Sequence, residues 1–122
     1  MLAQRRHERR TQHLHAVLIL RVEAGLFYFN AGHVRDEIRR LLAASDDGLE
    51  LVVWDLSTSP NVDIAGVRLI RDILREASAR GARLRIVDAR SPVRDMVRKE
   101  IGVGVGEVSR RISIDDALAE GR

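Results

Sequence analysis

The sequence predicts a layered α/β sandwich, a mostly parallel sheet with helices packed on it, in the order β-β-α-β-α-β-α-β-α. Three observations carry this. Leu49-Glu50-Leu51-Val52-Val53-Trp54-Asp55-Leu56 is a near-continuous apolar run of strand length, the pattern of a strand buried on both faces. It breaks into a polar loop, Ser57-Thr58-Ser59-Pro60-Asn61-Val62, and then into an apolar-periodic run from Val67 to Ala77, as a strand feeding a crossover helix does. Shorter strand patterns alternate with helical ones along the rest of the chain. At 122 residues a single domain is expected, large enough for a core without disulfides or metals.

Residues 1–15 are polar, rich in Arg and His and without period, so a basic arm or linker is expected there, with the folded domain over residues 16–122. Val17-Leu18-Ile19-Leu20-Arg21-Val22 reads as a strand. Glu23-Ala24-Gly25 turns it back, and Leu26-Phe27-Tyr28-Phe29 reads as its hairpin partner. Asn30 is placed to cap a first helix with Val34, Ile38, Leu41 and Leu42 on one face and Arg35, Asp36, Glu37, Arg39 and Arg40 on the other. Ser45-Asp46-Asp47-Gly48 ends it.

Asp63 is an N-cap candidate for the second helix, which buries Val67, Ile70, Leu74 and Ala77, flanked by Leu69 and Ile73. Gly81 closes that helix as a left-handed cap. Leu84-Arg85-Ile86-Val87 is the next strand. Ser91 is expected to cap a third helix opened by Pro92, with Val93, Met96 and Val97 inward. A Gly-rich loop, residues 102–106, leads to a short strand around Val108 to Ile112. Ser113 and Asp116 then resemble a capping box that opens a terminal helix through Leu118.

Composition narrows the chemistry. Four arginines, Arg5, Arg6, Arg9 and Arg10, against Glu8 account for the whole net charge of +3, so the remaining body is neutral. A neutral body argues against specific nucleic-acid binding, which rests on clustered phosphate neutralisation. Cysteine is absent, which removes disulfides, thiol chemistry and Cys-based zinc sites and fits a reducing compartment. No apolar run approaches the ~20 residues needed to cross a bilayer, and no tripartite leader pattern opens the chain.

No catalytic constellation assembles, and neither enzyme activity, a metal nor a cofactor is expected. His7, His13 and His15 have no defined ligand spacing, and His33 stands alone in a first helical turn. The Gly-rich loop lacks the Gly-Lys-Ser/Thr ending of a phosphate-binding loop. Trp54 lies mid-strand and reads as core. Weak nucleotide binding at the second helix's N-terminus stays open, although Asp63 already supplies a negative group there.

These residues in this order resemble the STAS domain, the fold shared by anti-sigma-factor antagonists and the cytoplasmic tails of SulP-type anion transporters. The stretch Glu23-Ala24-Gly25-Leu26-Phe27-Tyr28-Phe29-Asn30-Ala31 is similar to the opening of transporter STAS domains. Asp55-Leu56-Ser57 followed by Asp63-Ile64-Ala65-Gly66 is similar to the family's loop and helix start. Ser91-Pro92-Val93-Arg94-Asp95 and Ser113-Ile114-Asp115-Asp116-Ala117-Leu118 resemble the transporter branch. In the antagonist branch a phosphorylatable Ser directly precedes the second helix's glycine. Here that position is Ala65, so the phosphorylation switch lacks its acceptor.

The resemblance implies a non-catalytic cytoplasmic domain that regulates or assembles a SulP-type anion transporter through protein contacts. The expected partners are the transporter's membrane portion, another STAS domain or a regulatory protein. Ser57, Thr58, Ser59, Asn61, Asp63, Gly66 and Asn30 are the expected interaction loop and helix start. On that reading residues 1–15 are a juxtamembrane linker, and Arg5, Arg6, Arg9 and Arg10 are expected to contact anionic lipid at the inner membrane face. The alternatives are a stand-alone antagonist-like or stressosome-like regulator without the usual phosphoacceptor, and a small-ligand or nucleotide sensor.

Overall fold

Strand β3, Leu49–Asp55, is the centre of the molecule, and within it only Glu50 is exposed. The computed structural model describes residues 2–10, 13–45 and 48–101. Over these residues β1 (Leu2–Arg10) and β2 (His13–Arg21) precede α1 (Ala31–Ala43), and β3 is followed by α2 (Ile64–Ala79), β4 (Arg83–Val87) and α3 (Ser91–Ile101). The sheet order is β1-β2-β3-β4. β1 runs antiparallel to β2, whereas β2, β3 and β4 are mutually parallel, so a helix follows each parallel strand.

The two-residue period of the strands sorts the core into two clusters. Leu18, Leu20, Val52, Trp54, Leu84 and Ile86 pack with the inner faces of all three helices. Val17, Ile19, Leu51, Val53 and Val87 form a separate buried cluster from the alternate positions. α1 contributes Val34, Ile38 and Leu42. α2 packs against both α1 and α3, so its buried stripe is wide: Leu69 and Ile73 are fully buried beside Val67, Ile70 and Ala77, and Leu74 is only partly covered. Gly81 ends this helix at φ 80°, a conformation that costs glycine little.

The N-terminal reading is corrected. Residues 2–10 are not an unpaired arm: β1 pairs with β2 along its length, from Leu2 opposite Arg21 to Arg10 opposite His13. Ala3, Gln4 and Arg5 are exposed, so this edge strand needs no apolar alternation, and main-chain pairing leaves no mark in the sequence pattern. β2 likewise starts at His13 rather than Val17. It meets β3 only from Ala16 onward, with a register shift between Ala16 and Val17, so the apolar pattern begins where β2 becomes interior.

The hairpin partner over residues 26–29 is also corrected. Leu26 makes one parallel bridge, to Val62, and Tyr28, Phe29 and Asn30 form a turn into α1. β1 occupies the edge of β2 that a hairpin would have used. The element order β-β-α-β-α-β-α thus holds with different members in its first two places. Ser91 is the first residue of α3 rather than the residue before it. The Gly-rich loop, the strand around Val108 and the terminal helix from Ser113 lie outside the described residues.

Candidate interaction site

The parallel strands end at Arg21, Asp55 and Val87, and each helix begins just beyond, so three helix starts gather at one end of the sheet. Asp63 organises this end. It is extended (φ −97°, ψ −175°) and caps α2, with Oδ1 accepting from the Gly66 N–H at 2.9 Å. Its second oxygen, Oδ2, accepts from the Tyr28 N–H at 2.9 Å, so one carboxylate ties the start of α2 to the turn before α1. The Asp63 N–H donates to the Leu26 carbonyl at 3.0 Å, and the Leu26 N–H donates to the Asn61 carbonyl at 2.9 Å.

Gly66 is what lets these segments meet. A Cβ there would lie 2.3 Å from the Leu26 carbonyl oxygen and 2.6 Å from Val62 Cγ1. Asn30 holds the same turn from its other side. It occupies the cap position of α1 but makes no side-chain bond to a helix N–H. Its Oδ1 accepts from the Phe27 N–H at 2.9 Å, and its Nδ2 donates to the Gly25 carbonyl at 2.8 Å.

This scaffold presents an apolar surface that the sequence pattern did not single out. Tyr28 is 80% exposed, Phe29 70% and Ile64, the first residue of α2, 42%. Phe29 stacks on the half-buried Phe27 with centroids 5.4 Å apart, and Tyr28 meets Phe29 edge-on at 5.6 Å. The run Phe27-Tyr28-Phe29 was the available signal, because three consecutive aromatics cannot all face one side of a strand.

The other expected site residues hold the loop. Thr58 Oγ1 and Ser59 Oγ both donate to the Val22 carbonyl, at 2.9 and 2.8 Å. The Ser57 N–H donates to Asp55 Oδ1 at 2.8 Å. Asp55, buried at the end of β3, also accepts from Arg21 Nε at 2.9 Å and lies 2.8 Å from Nη2. Burial alone would raise the Asp55 carboxyl, but the Ser57 hydroxyl and amide and the Arg21 guanidinium together hold it below the usual carboxylate range. Ala65 is partly buried beside this loop.

Chemically, this end offers shape and apolar contact. Two of its hydroxyls are committed to a backbone carbonyl, and the exposed His33 has Glu37 as its nearest acid, at 3.8 Å. Among the described residues no three potential ligands cluster for a metal. A shallow groove between α1 and α2 is lined by Arg39, Asp72, Arg75, Glu76 and Ala79, with Arg39 paired to Glu76 and Asp72 to Arg35. Trp54 is fully buried, as a core residue should be. Arg5, Arg6, Arg9 and Arg10 lie on β1, with Arg5 exposed and Arg6 donating to Gln4 at 3.2 Å. Among the described residues no helix is long and apolar enough to cross a membrane.

A mixed four-stranded sheet with a helix after each parallel strand, and a tight loop pinned at the start of the second helix, makes this an α/β domain. The family model of the STAS domain matches residues 8–103, and the chain belongs to that family. It is 26% identical over 102 residues to Probable sulfate transporter 3.5 of Arabidopsis thaliana, an alignment covering 83% of this chain and 16% of that one. Its fold is similar to part of the murine Solute Carrier 26 family member A9 anion transporter (TM-score 0.72, 16% identity, 87% of this chain and 18% of that chain). It is also similar to the unphosphorylated Bacillus anti-sigma factor antagonist SpoIIAA (TM-score 0.69, 18% identity, 98% of this chain and 96% of that one). The chain thus spans less than a fifth of the length of the plant sulfate transporter and of the murine anion transporter.

Proposed function

We propose that this STAS domain is a non-catalytic regulatory and assembly domain of a SulP-type anion transporter, held at the cytoplasmic face of the membrane and acting through protein contacts. The observation that carries the proposal is the Tyr28–Phe29–Ile64 surface: exposed aromatics on a turn fixed by Asn30 and Asp63. Rigid aromatic anchors lose little entropy on binding and are the residue types that dominate interface energetics. The similarity to a plant sulfate transporter supports the transporter context.

The anti-sigma-antagonist reading draws on the similarity of fold to SpoIIAA. Ala65 weighs against it, since it has no hydroxyl where that branch carries its phosphoacceptor. Ser57 is a poor substitute, because a phosphate there would sit beside the buried Asp55 carboxylate.

A photo-crosslinking amino acid at position 29 of the parent polypeptide, with one at position 75 as control, separates the two readings. The transporter reading expects position 29 to cross-link to the protein's own membrane portion or to a second copy of the domain. Cross-linking only to an anti-sigma factor or kinase would overturn it.

A further inference from the structure

β1 is an edge strand: among the described residues it pairs with β2 alone. In an antiparallel pair about half of an edge strand's N–H and C=O groups point away from the neighbour and are open to another strand. Self-pairing is the ordinary hazard of such an edge, and here charge opposes it. Two copies of β1 would bring two strands of net charge +3 together, and like charges facing across a ladder are destabilising.

We propose that β1 is a docking edge for an extended acidic segment of a partner protein, which adds to the sheet as a further antiparallel strand. The charge complementarity comes from a repeated doublet, Arg5-Arg6 and Arg9-Arg10, on a nine-residue strand. Arg5 lies opposite Leu18 and Arg6 opposite Val17, and cross-strand partners share a face, so the first doublet places one arginine on each side of the sheet. A bilayer lies flat against one side of a strand. An added strand lies in the plane of the sheet and brings carboxylates to both sides, about 5 Å from their partners. Main-chain bonds then supply affinity while the carboxylates select the sequence. This surface is separate from the aromatic turn and does not depend on the transporter reading.

The test uses the intact chain and a fluorescent peptide with two Glu-Glu doublets spaced like the arginine doublets in a Thr/Val background. Three comparison probes accompany it: the same peptide with a central Pro, its Lys-for-Glu counterpart, and vesicles containing phosphatidylserine. The acidic peptide should bind, and its binding should slow amide exchange at alternate residues of β1. The Pro and Lys peptides should bind at least about tenfold more weakly, a factor equivalent to 1.4 kcal/mol. An Arg5→Gln/Arg6→Gln variant that retains the parent's circular dichroism should also lose about tenfold in affinity for the acidic peptide. Equal binding of the Pro peptide would reduce the interaction to charge alone and overturn the proposal. Unchanged exchange in β1, or vesicle binding without peptide binding, would overturn it as well.

Discussion

Glycine 66 and glycine 32 both sit in the first turn of a helix, and replacing each with alanine should move stability in opposite directions. Intrinsic propensity favours alanine by about 1 kcal/mol at either place. At Gly32 nothing lies within 4 Å of the added carbon, so Gly32→Ala should stabilise the domain by about 0.5–1 kcal/mol. At Gly66 the new methyl would lie 2.3 Å from the Leu26 carbonyl oxygen and 2.8 Å from Leu26 Cβ. A backbone carbonyl cannot swing aside as a side chain can. Relief therefore requires shifting α2 or the 25–30 segment, which would lengthen the Asp63 bonds to Leu26 and Tyr28. Overpacking costs about 1–3 kcal/mol, which outweighs the propensity gain, and Gly66→Ala should destabilise. Urea denaturation of the two variants measures both signs. The reasoning fails if Gly66→Ala is as stable as the parent, because the close approach of α2 to Leu26 would then be wrong.

Ile70 is fully buried under α2, and Ile70→Ala should cost about 2–5 kcal/mol through the cavity it leaves; a thermal melt matching the parent would displace that helix. Because Asp55 is held below its usual range in the folded state, its contribution is present above the unfolded carboxylate value of about 3.9 and is lost as pH falls through the lower folded value. Asp55→Asn should therefore differ most from the parent above about pH 5 and converge with it in acid, as urea midpoints across pH would show. Incubation with an anti-sigma-type kinase and ATP should leave the start of α2 unmodified in a mass spectrum, since Ala65 offers no acceptor. A phosphate on Ser57, Thr58 or Ser59 that altered partner binding would reinstate the switch.

What the sequence disclosed follows from how local each signal is. The unit from β3 through α2 was legible because its apolar run, its Asp63 cap and its 3.6-residue period are all short-range features. Gly81 was legible for the same reason. β1 was not, since an exposed edge strand is defined by main-chain pairing to residues up to 19 positions away, Leu2 with Arg21. Half of the site was hidden similarly. Asp63 was expected as a cap, but its bond to Tyr28 spans 35 positions and the Arg21–Asp55 bond spans 34. Asn30 looked like a cap and occupies that place, yet its side chain reads the backbone of the preceding turn. That turn, in place of the expected hairpin strand, is what brings Tyr28 and Phe29 to the surface.

The central claim is that the aromatic turn is the surface through which this domain works. On the proposed transporter reading, its most direct test is anion flux through the full-length transporter carrying Tyr28→Ser/Phe29→Ser, compared with Arg75→Ser on the exposed face of α2. Both side chains of the first pair are largely exposed, so the variant should fold, and retention of the parent's urea midpoint verifies that before flux is read. The account predicts that the aromatic variant loses flux or assembly while Arg75→Ser behaves like the parent. Parent-like flux and assembly in the folded aromatic variant would contradict it.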